Sequence, residues 1–129
     1  MYIGIDFDNT IVKTEGFTEI KRLKFLARWV INRLYAEDNI IIINTLRSDT
    51  FKGPGSKKAL TTAKEYLKKA GIKYHYINEN AEQLIARYGD TRKIAVDINI
   101  DDKNIVPLVS WPIIYLIIKV KEFIWGIVN

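Results

Sequence analysis

Cysteine does not occur anywhere in this chain of 129 residues. Disulfide bonds, zinc–thiolate centres and thiol nucleophiles are therefore excluded. Histidine occurs once, as His75 within an apolar segment, where we expect a structural role. The N-terminal residues lack the basic and long apolar regions of a secretory signal, so we expect a cytoplasmic protein. Internal repeats and low-complexity tracts are also missing, which favours one domain over residues 1–129.

A long uninterrupted apolar run is missing as well, although residues 110–129 come close to one. Lys119, Lys121 and Glu122 interrupt this tail, so a membrane-spanning helix is not expected. We expect instead a C-terminal helix packed on the domain, with a homodimer contact or a membrane-surface contact as alternatives. The stripe expected to face the core consists of Ile113, Leu116, Ile117, Val120 and Ile124.

Positive charge is in excess, because 20 Lys and Arg residues stand against 15 Asp and Glu, a net charge of +5. This balance suits an anionic ligand. The basic residues are spread over several segments and do not alternate with aromatic residues, so nucleic acid is not the main partner that we expect. A phosphorylated small molecule or a nucleotide fits the composition better.

Apolar runs and helical patterns alternate along the chain. We predict strands over residues 2–7, 39–44, 73–77 and 93–100, and helices over about residues 18–36, 56–70 and 81–88. Ser56 is the expected N-cap of the second helix, while Gly71 and Gly89 are expected to end the second and third. The alternation predicts an α/β fold, a three-layer Rossmann-like arrangement around a mainly parallel sheet.

Two carboxylates, Asp6 and Asp8, follow the first predicted strand, with Phe7 between them. Side chains alternate along a strand, so Asp6 and Asp8 point the same way and Phe7 points into the core. Carboxylates this close repel each other unless a cation neutralises them or one of them keeps a proton. A pair at the carboxyl edge of a parallel sheet is therefore a candidate for divalent-metal binding and acid–base chemistry.

Polar residues also follow the second and fourth predicted strands. Thr45 and Arg47 place a hydroxyl and a guanidinium after the second strand, and Asp101 and Asp102 form another acidic pair after the fourth. Because all carboxyl ends of a parallel sheet lie on one edge, we expect these groups to converge on Asp6 and Asp8.

In their order along the chain, these segments resemble the motifs of the haloacid dehalogenase-like phosphohydrolases. The resemblance rests on DFDNT (residues 6–10), NTLR (44–47), a lysine before the last strand, and IDDKN (100–104). It extends from Tyr2 to about Trp111 and is strongest with small phage and bacterial members. The doubled Asp also resembles the fourth motif of the deoxyribonucleotidases. Residues 11–17 leave room for a flap after the first motif, so no large cap domain is expected.

The resemblance implies a Mg²⁺-dependent phosphatase that acts through an aspartyl-phosphate. In that scheme Asp6 is the nucleophile and Asp8 is the general acid and base. Thr45 binds the phosphoryl group, and Lys93 balances its charge, with Arg92 as the alternative. Electrostatics supports the presence of Mg²⁺ and a lysine in this scheme, because a carboxylate nucleophile facing an anionic phosphoryl group needs cations that cancel the repulsion.

The resemblance also implies the metal ligands and the substrate contacts. Mg²⁺ would be held by the carboxylate of Asp6, the main-chain carbonyl of Asp8, and the pair Asp101 and Asp102, with Asp102 as the expected direct ligand. The expected substrate contacts are Asn9, Thr45, Leu46 and Arg47. Asn9 stands where the family usually has glycine, and asparagine tolerates the left-handed turn that such a position requires.

Two other readings stay open at this point. One is a phosphorylatable receiver domain, which also has an acidic pair, a threonine and a lysine. Receivers, however, place the acceptor Asp after the third strand, where this chain has Asn78, and their acidic pair after the first strand. The other is a fold of the dehalogenase-like type that is retained as a binding or assembly module with little turnover.

Overall fold

The computed structural model describes residues 1–15, 19–50 and 58–128. The elements in chain order are β1 (Tyr2–Ile5), β2 (Val12–Glu15), β3 (Glu19–Leu23), α1 (Ala27–Ala36), β4 (Ile40–Ile43), α2 (Ala59–Lys69), β5 (Tyr76–Ile77), α3 (Glu82–Tyr88), β6 (Ile98–Ile100) and α4 (Trp111–Val128).

Four of the strands form one sheet in the order β5-β4-β1-β6, and every neighbouring pair is parallel. The four isoleucines of β4 lie between β1 and β5, as their continuous apolar character predicts. Helices connect the strands, so the predicted α/β, Rossmann-like fold is confirmed. In the described part of the chain, the insertion between β1 and α1 is a two-stranded hairpin and not a large cap.

The two faces of the sheet are covered unequally. Ile3, Ile5, Ile41 and Ile43 belong to one buried cluster together with residues of α1, α2 and α4. Gly4 alternates with Ile3 and Ile5 and faces the other way, where the segment before β6 covers it. A Cβ atom on Gly4 would lie 3.2 Å from a methyl group of Val96 and 2.8 Å from Oδ1 of Asn99, so a larger residue would have to displace these side chains.

The predicted helix over residues 18–36 is wrong in its first part. Residues 19–23 form β3, which pairs antiparallel with β2, and α1 begins only at Ala27. The reason is a bulge: Lys13 pairs with Arg22 but Thr14 pairs with Ile20, so Lys21 is the extra residue. The bulge turns Ile20 and Leu23 towards the core, a three-residue spacing that resembles a helical period.

The strands are shorter than predicted, most of all the last one, because residues 93–97 precede β6 without forming regular structure. Asp97 still pairs with the edge of the sheet: its backbone N–H donates to the Tyr2 carbonyl at 2.7 Å, and its carboxylate accepts from the Tyr2 N–H at 2.8 Å. His75 has the expected structural role, since its Nδ1 accepts the Ile41 N–H at 3.0 Å and its ring stacks on Tyr35.

Glycine ends two helices as predicted. Gly71 follows α2 with φ 71° and Gly89 follows α3 with φ 82°, values that favour glycine. The proposed cap Ser56 lies outside the described residues, and α2 begins at Ala59. None of the helices in the described ranges has the length and apolar character needed to cross a bilayer.

The C-terminal helix exists as expected, but the predicted core stripe is wrong. Trp111, Ile114 and Ile118 are the residues that α4 buries, whereas the five predicted positions are 47–62% exposed. Long-range contacts fix this rotation of the helix: the Trp111 indole donates to the Thr10 carbonyl at 3.0 Å, and Lys119 binds Glu37 at 2.8 Å.

Candidate active site

The turn after β1 wraps the chain around one carbonyl group. The backbone N–H groups of Thr10, Ile11 and Val12 all donate to the Phe7 carbonyl, at 3.3, 3.0 and 3.3 Å. Asn9 has φ 58°, the left-handed conformation expected at this position, and its Oδ1 accepts the Thr14 N–H at 3.2 Å. Phe7 is fully buried, so the turn directs its polar neighbours to the carboxyl edge of the sheet.

Three carboxylates meet at this edge. One oxygen each of Asp6, Asp101 and Asp102 lies within 4.8 Å of the other two. The backbone explains the convergence: β1 and β6 are neighbours, and the Asp6 N–H donates to the Ile100 carbonyl at 2.9 Å. Burial, together with the hydrogen bond that protonated Asp6 donates to Asp102 and the negative charges of Asp101 and Asp102, raises the pKa of Asp6 to about 7.

A threonine that the sequence analysis did not assign joins two of these carboxylates. The Thr10 hydroxyl lies 3.2 Å from Oδ2 of Asp6 and 3.5 Å from Oδ1 of Asp102, and it accepts the Asp102 N–H at 3.1 Å. Thr10 is fully buried. The sequence could have indicated that Thr10 joins this site, because Thr10 follows Asp6 and Asp8 at the same spacing of two residues.

Asp8 has a different environment from Asp6, because its carboxylate forms an ion pair with Arg47. The guanidinium donates from Nε at 2.9 Å and from Nη2 at 2.8 Å to the two carboxylate oxygens. Arg47 has no exposed side-chain surface, donates to the Ala59 carbonyl at 3.2 Å, and stacks over the Phe7 ring at 5.0 Å. The predicted contact of Arg47 with the substrate would therefore require this ion pair to open.

Thr45 and Leu46 follow β4 on the same edge. The Thr45 backbone N–H donates to Oδ1 of Asn78 at 2.8 Å, and the Thr45 hydroxyl accepts the Arg47 N–H at 3.1 Å. Thr45 is buried, whereas Leu46 is 74% exposed. The segment is thus held in place by Asn78 of the neighbouring strand end, a partner that sequence analysis did not identify.

An open cavity of about 480 Å³ lies at this edge of the sheet. It is lined by Asp6, Asp8, Asn9, Thr14, Asn44, Thr45, Leu46, Asp101, Asp102 and Lys103. Seven of the nine predicted site residues therefore line one cavity. The other two are Arg47, which lies behind Asp8, and Lys93.

Lys93 is exposed in the segment before β6 and does not line the cavity. Two other lysines lie closer to the acidic cluster. Lys103 lines the cavity directly, and its position beside Asp102 in the sequence could have indicated this. Lys24 donates to the Asn9 carbonyl; burial lowers its pKa, and the charge of Asp102 acts in the opposite direction. Lys24 was missed because residues 18–36 were predicted as one helix.

The hairpin contributes one polar group to the cavity. Thr14 on β2 is buried, and its hydroxyl has no hydrogen-bond partner among the residues that the structure describes. A buried hydroxyl without a partner is unfavourable by about 1–3 kcal/mol. The Thr14 hydroxyl is therefore a candidate contact for a ligand in the cavity.

Comparison with known proteins supports the fold. No family model matches the chain, and no curated protein matches it significantly. Among solved structures, it is similar to a conserved protein from Bacteroides thetaiotaomicron, with 29% sequence identity and a TM-score of 0.76. The alignment covers 94% of this chain and 91% of that one, so the similarity extends over nearly the whole domain.

Proposed function

We propose that this chain is a Mg²⁺-dependent phosphomonoester hydrolase of the haloacid dehalogenase-like type, acting in the cytoplasm through an aspartyl-phosphate at Asp6. The observation that carries the proposal is the convergence of Asp6, Asp101 and Asp102 within 4.8 Å, in one cavity with Asp8 and Thr45. The neighbouring strands β4, β1 and β6 bring together residues from three separate segments of the chain. These are the segments that resemble motifs of that superfamily.

The donor set fits a hard divalent cation. Its side-chain ligands are carboxylate oxygens alone, which suits Mg²⁺ or Ca²⁺ better than a transition metal. The raised pKa of Asp6, about 7, reflects its burial and, after that, the neighbouring carboxylates of Asp102 and Asp101. Bound there, Mg²⁺ would offset the charge of the cluster and of the phosphoryl oxygens. Asp102 remains our proposed direct ligand, with Asp101 beside it.

In the proposed first step, a carboxylate oxygen of Asp6 attacks phosphorus and the bond from phosphorus to the leaving oxygen breaks. Asp8 supplies the proton that the leaving oxygen takes up. Asp8 is well placed for this, because it lines the same cavity on the same strand end. Its ion pair with Arg47 fixes the carboxylate rotamer, so we assign Arg47 a positioning role towards Asp8.

In the second step, water attacks the phosphorus of the aspartyl-phosphate and Asp8 accepts its proton. The bond between phosphorus and the Asp6 oxygen breaks, which restores the carboxylate and releases inorganic phosphate. The Thr45 hydroxyl and the Leu46 backbone N–H are the proposed contacts of the phosphoryl oxygens. For the charge-balancing lysine, Lys103 joins Lys93 as a candidate because Lys103 lines the cavity.

The proposed substrate is a phosphorylated small molecule or a nucleotide. A cavity of about 480 Å³ accommodates a ligand of this size. The described flap is a hairpin of two short strands, and among the described residues Asn9, Thr14 and Leu46 are candidates to contact the part of the substrate beyond its phosphate.

A second candidate function is a binding module with little turnover. One observation favours it: Lys93, the expected charge-balancing lysine, does not line the cavity. The receiver-domain alternative has less support. A receiver has its phospho-acceptor Asp after this strand, whereas the residue after β5 is Asn78, whose side chain accepts a hydrogen bond from the Thr45 backbone N–H.

A panel of phosphate monoesters, including nucleoside monophosphates and sugar phosphates, tests the proposal when assayed with Mg²⁺ and with excess chelator. We expect turnover of at least one substrate that needs Mg²⁺ and is lost in Asp6→Asn. Binding of a phosphate ester without turnover by the folded parent protein would favour the binding module instead.

A further inference from the structure

The C-terminal helix α4 is apolar on two opposite faces, and its own domain covers one of them. Trp111, Ile114 and Ile118 are buried against the domain. The opposite face carries seven large apolar side chains that are 47–70% exposed, which we call the α4 seam. The seam consists of Ile113, Leu116, Ile117, Val120, Phe123, Ile124 and Ile127.

We propose that the α4 seam pairs with the same seam of a second copy of this chain, helix against helix about a two-fold axis. This interface is independent of the phosphatase chemistry, since no residue of the seam lines the cavity that contains Asp6.

The spacing of the seam is that of a two-stranded helix interface. Ile113, Val120 and Ile127 recur every seven residues, and Leu116 and Phe123 do the same three residues later. These are a and d positions of a heptad, with Ile117 and Ile124 beside them at e. In parallel pairs, β-branched residues at a with leucine at d favour two strands, and this helix has Ile or Val at every a position and Leu116 at one of its two d positions. The helix has 18 residues, about 27 Å of length, which is enough for two such repeats.

The exposed area is sufficient for a stable dimer. Aromatic side chains bury roughly 150–250 Å² each, so Phe123, at 70% exposure, offers on the order of 150 Å². Two further exposed apolar residues, Val106 and Val109, line a cavity together with Ile117 of the seam. With the aliphatic seam residues added, the surface reaches the order of the roughly 800 Å² per partner that a standard interface buries. The largest apolar patch on an ordinary monomer is about 300–600 Å².

The charges of α4 favour a second copy over a membrane surface. Lys119 lies between two carboxylates, 2.8 Å from Glu37 and 2.7 Å from Glu122, so its charge is balanced within the chain. Lys121 is the other cation of the helix sequence. Helices that lie on membranes usually have several Lys or Arg residues on the polar face. A seam without charge is self-complementary, as an isologous interface requires.

The absence of cysteine allows a direct test. Val120→Cys places one thiol at a central a position, and Tyr88→Cys places one on α3, at an exposed aromatic residue outside the seam. Under mild oxidation at micromolar concentration, we expect Val120→Cys to form a disulfide-linked dimer, while Tyr88→Cys stays largely uncrosslinked. Equal crosslinking of the two variants would overturn the proposal.

Light scattering after size exclusion provides the second readout. We expect the parent to have about twice the chain mass of 15.0 kDa. Phe123→Glu should be a folded monomer, with the dimer dissociation constant raised at least about 100-fold, because pairing would bury a carboxylate without a partner. The matched variant Tyr88→Glu should remain a dimer. A monomeric parent, with or without binding to vesicles of anionic phospholipid, would overturn the proposal, and vesicle binding would assign the seam to membranes instead.

Discussion

Asp6 and Asp8 leave the same strand two residues apart, yet the structure surrounds them with opposite charges. Asp6 lies among carboxylates, and its pKa is raised to about 7. Asp8 lies against a buried guanidinium that donates to both of its oxygens. Two like residues can therefore have different tasks on one strand end, because their neighbours come from different parts of the chain. In the proposed mechanism Asp6 attacks phosphorus beside a metal, and Asp8 moves protons.

The largest effect should come from replacing the nucleophile. Asp6→Asn keeps the size of the side chain but removes the nucleophilic carboxylate, so turnover should fall by at least about 10³-fold while the substrate still binds. Steady-state kinetics and a substrate-binding measurement test this together. If Asp6→Asn kept an activity close to that of the parent, Asp6 would not be the nucleophile, and the phosphatase proposal would be contradicted.

Substitutions of Arg47 test the environment of Asp8, because Arg47 forms the ion pair with its carboxylate. Arg47→Met removes the partner of Asp8 and should destabilise the fold by about 2–4 kcal/mol, since a partly buried carboxylate loses its charge-assisted hydrogen bonds. Arg47→Lys keeps the charge but not the two-point contact, and it should recover more stability than activity. Denaturant unfolding and the pH profile of kcat separate these effects. Unchanged stability and an unchanged profile in both variants would show that the ion pair has no positioning role.

The pH dependence of stability tests the environment of Asp6. Its pKa is raised from 3.8 to about 7, so between these values the folded state binds more protons than the unfolded state. Without divalent metal, the free energy of unfolding should therefore decrease as pH rises through this window. Mg²⁺ should stabilise the protein more at about pH 8 than at about pH 5, where it competes with the proton.

Asp6→Asn is the control for this experiment, because it should flatten the pH dependence across the same window. Thermal melts with Mg²⁺ and with chelator measure both parts. A parent whose stability rises from acid to neutral pH, and does not respond to Mg²⁺, would contradict the proposed acidic site.

The smallest predicted effect concerns Thr14 on the flap. Thr14→Val keeps the shape and removes the hydroxyl that has no partner among the described residues. We expect stability to be unchanged or slightly raised, and KM to increase several-fold with little change in kcat, if this hydroxyl binds the substrate. Lys13→Ala, at an exposed neighbour on the same strand, is the control. An unchanged KM in Thr14→Val would exclude the contact.

The sequence was sufficient to predict the parts that depend on local pattern and topology. Asp6, Thr45, Asp101 and Asp102 follow apolar strands, and the shared edge of a parallel sheet brings them together. The hairpin was missed because the bulge at Lys21 gives a strand the spacing of a helix.

Other features depend on contacts between distant residues, which no local pattern contains. Arg47 binds Asp8, which lies 39 positions away in the chain. Trp111 fixes the rotation of α4 by donating to the Thr10 carbonyl, 101 positions away. The stripe predicted for the core was apolar enough, but α4 is apolar on both faces, so composition did not decide which face is buried.

The most direct test of the account is to trap the covalent intermediate. Asp8→Asn should still form the aspartyl-phosphate from p-nitrophenyl phosphate with Mg²⁺, because p-nitrophenolate leaves without a proton, but hydrolysis should lack its general base. Acid quenching followed by peptide mass spectrometry should show one phosphoryl group on Asp6, after a burst of p-nitrophenolate and slow turnover. The double variant with Asp6→Asn should show none. A phosphoryl group on another residue, or turnover in Asp8→Asn with no labelled Asp6, would contradict the central claim.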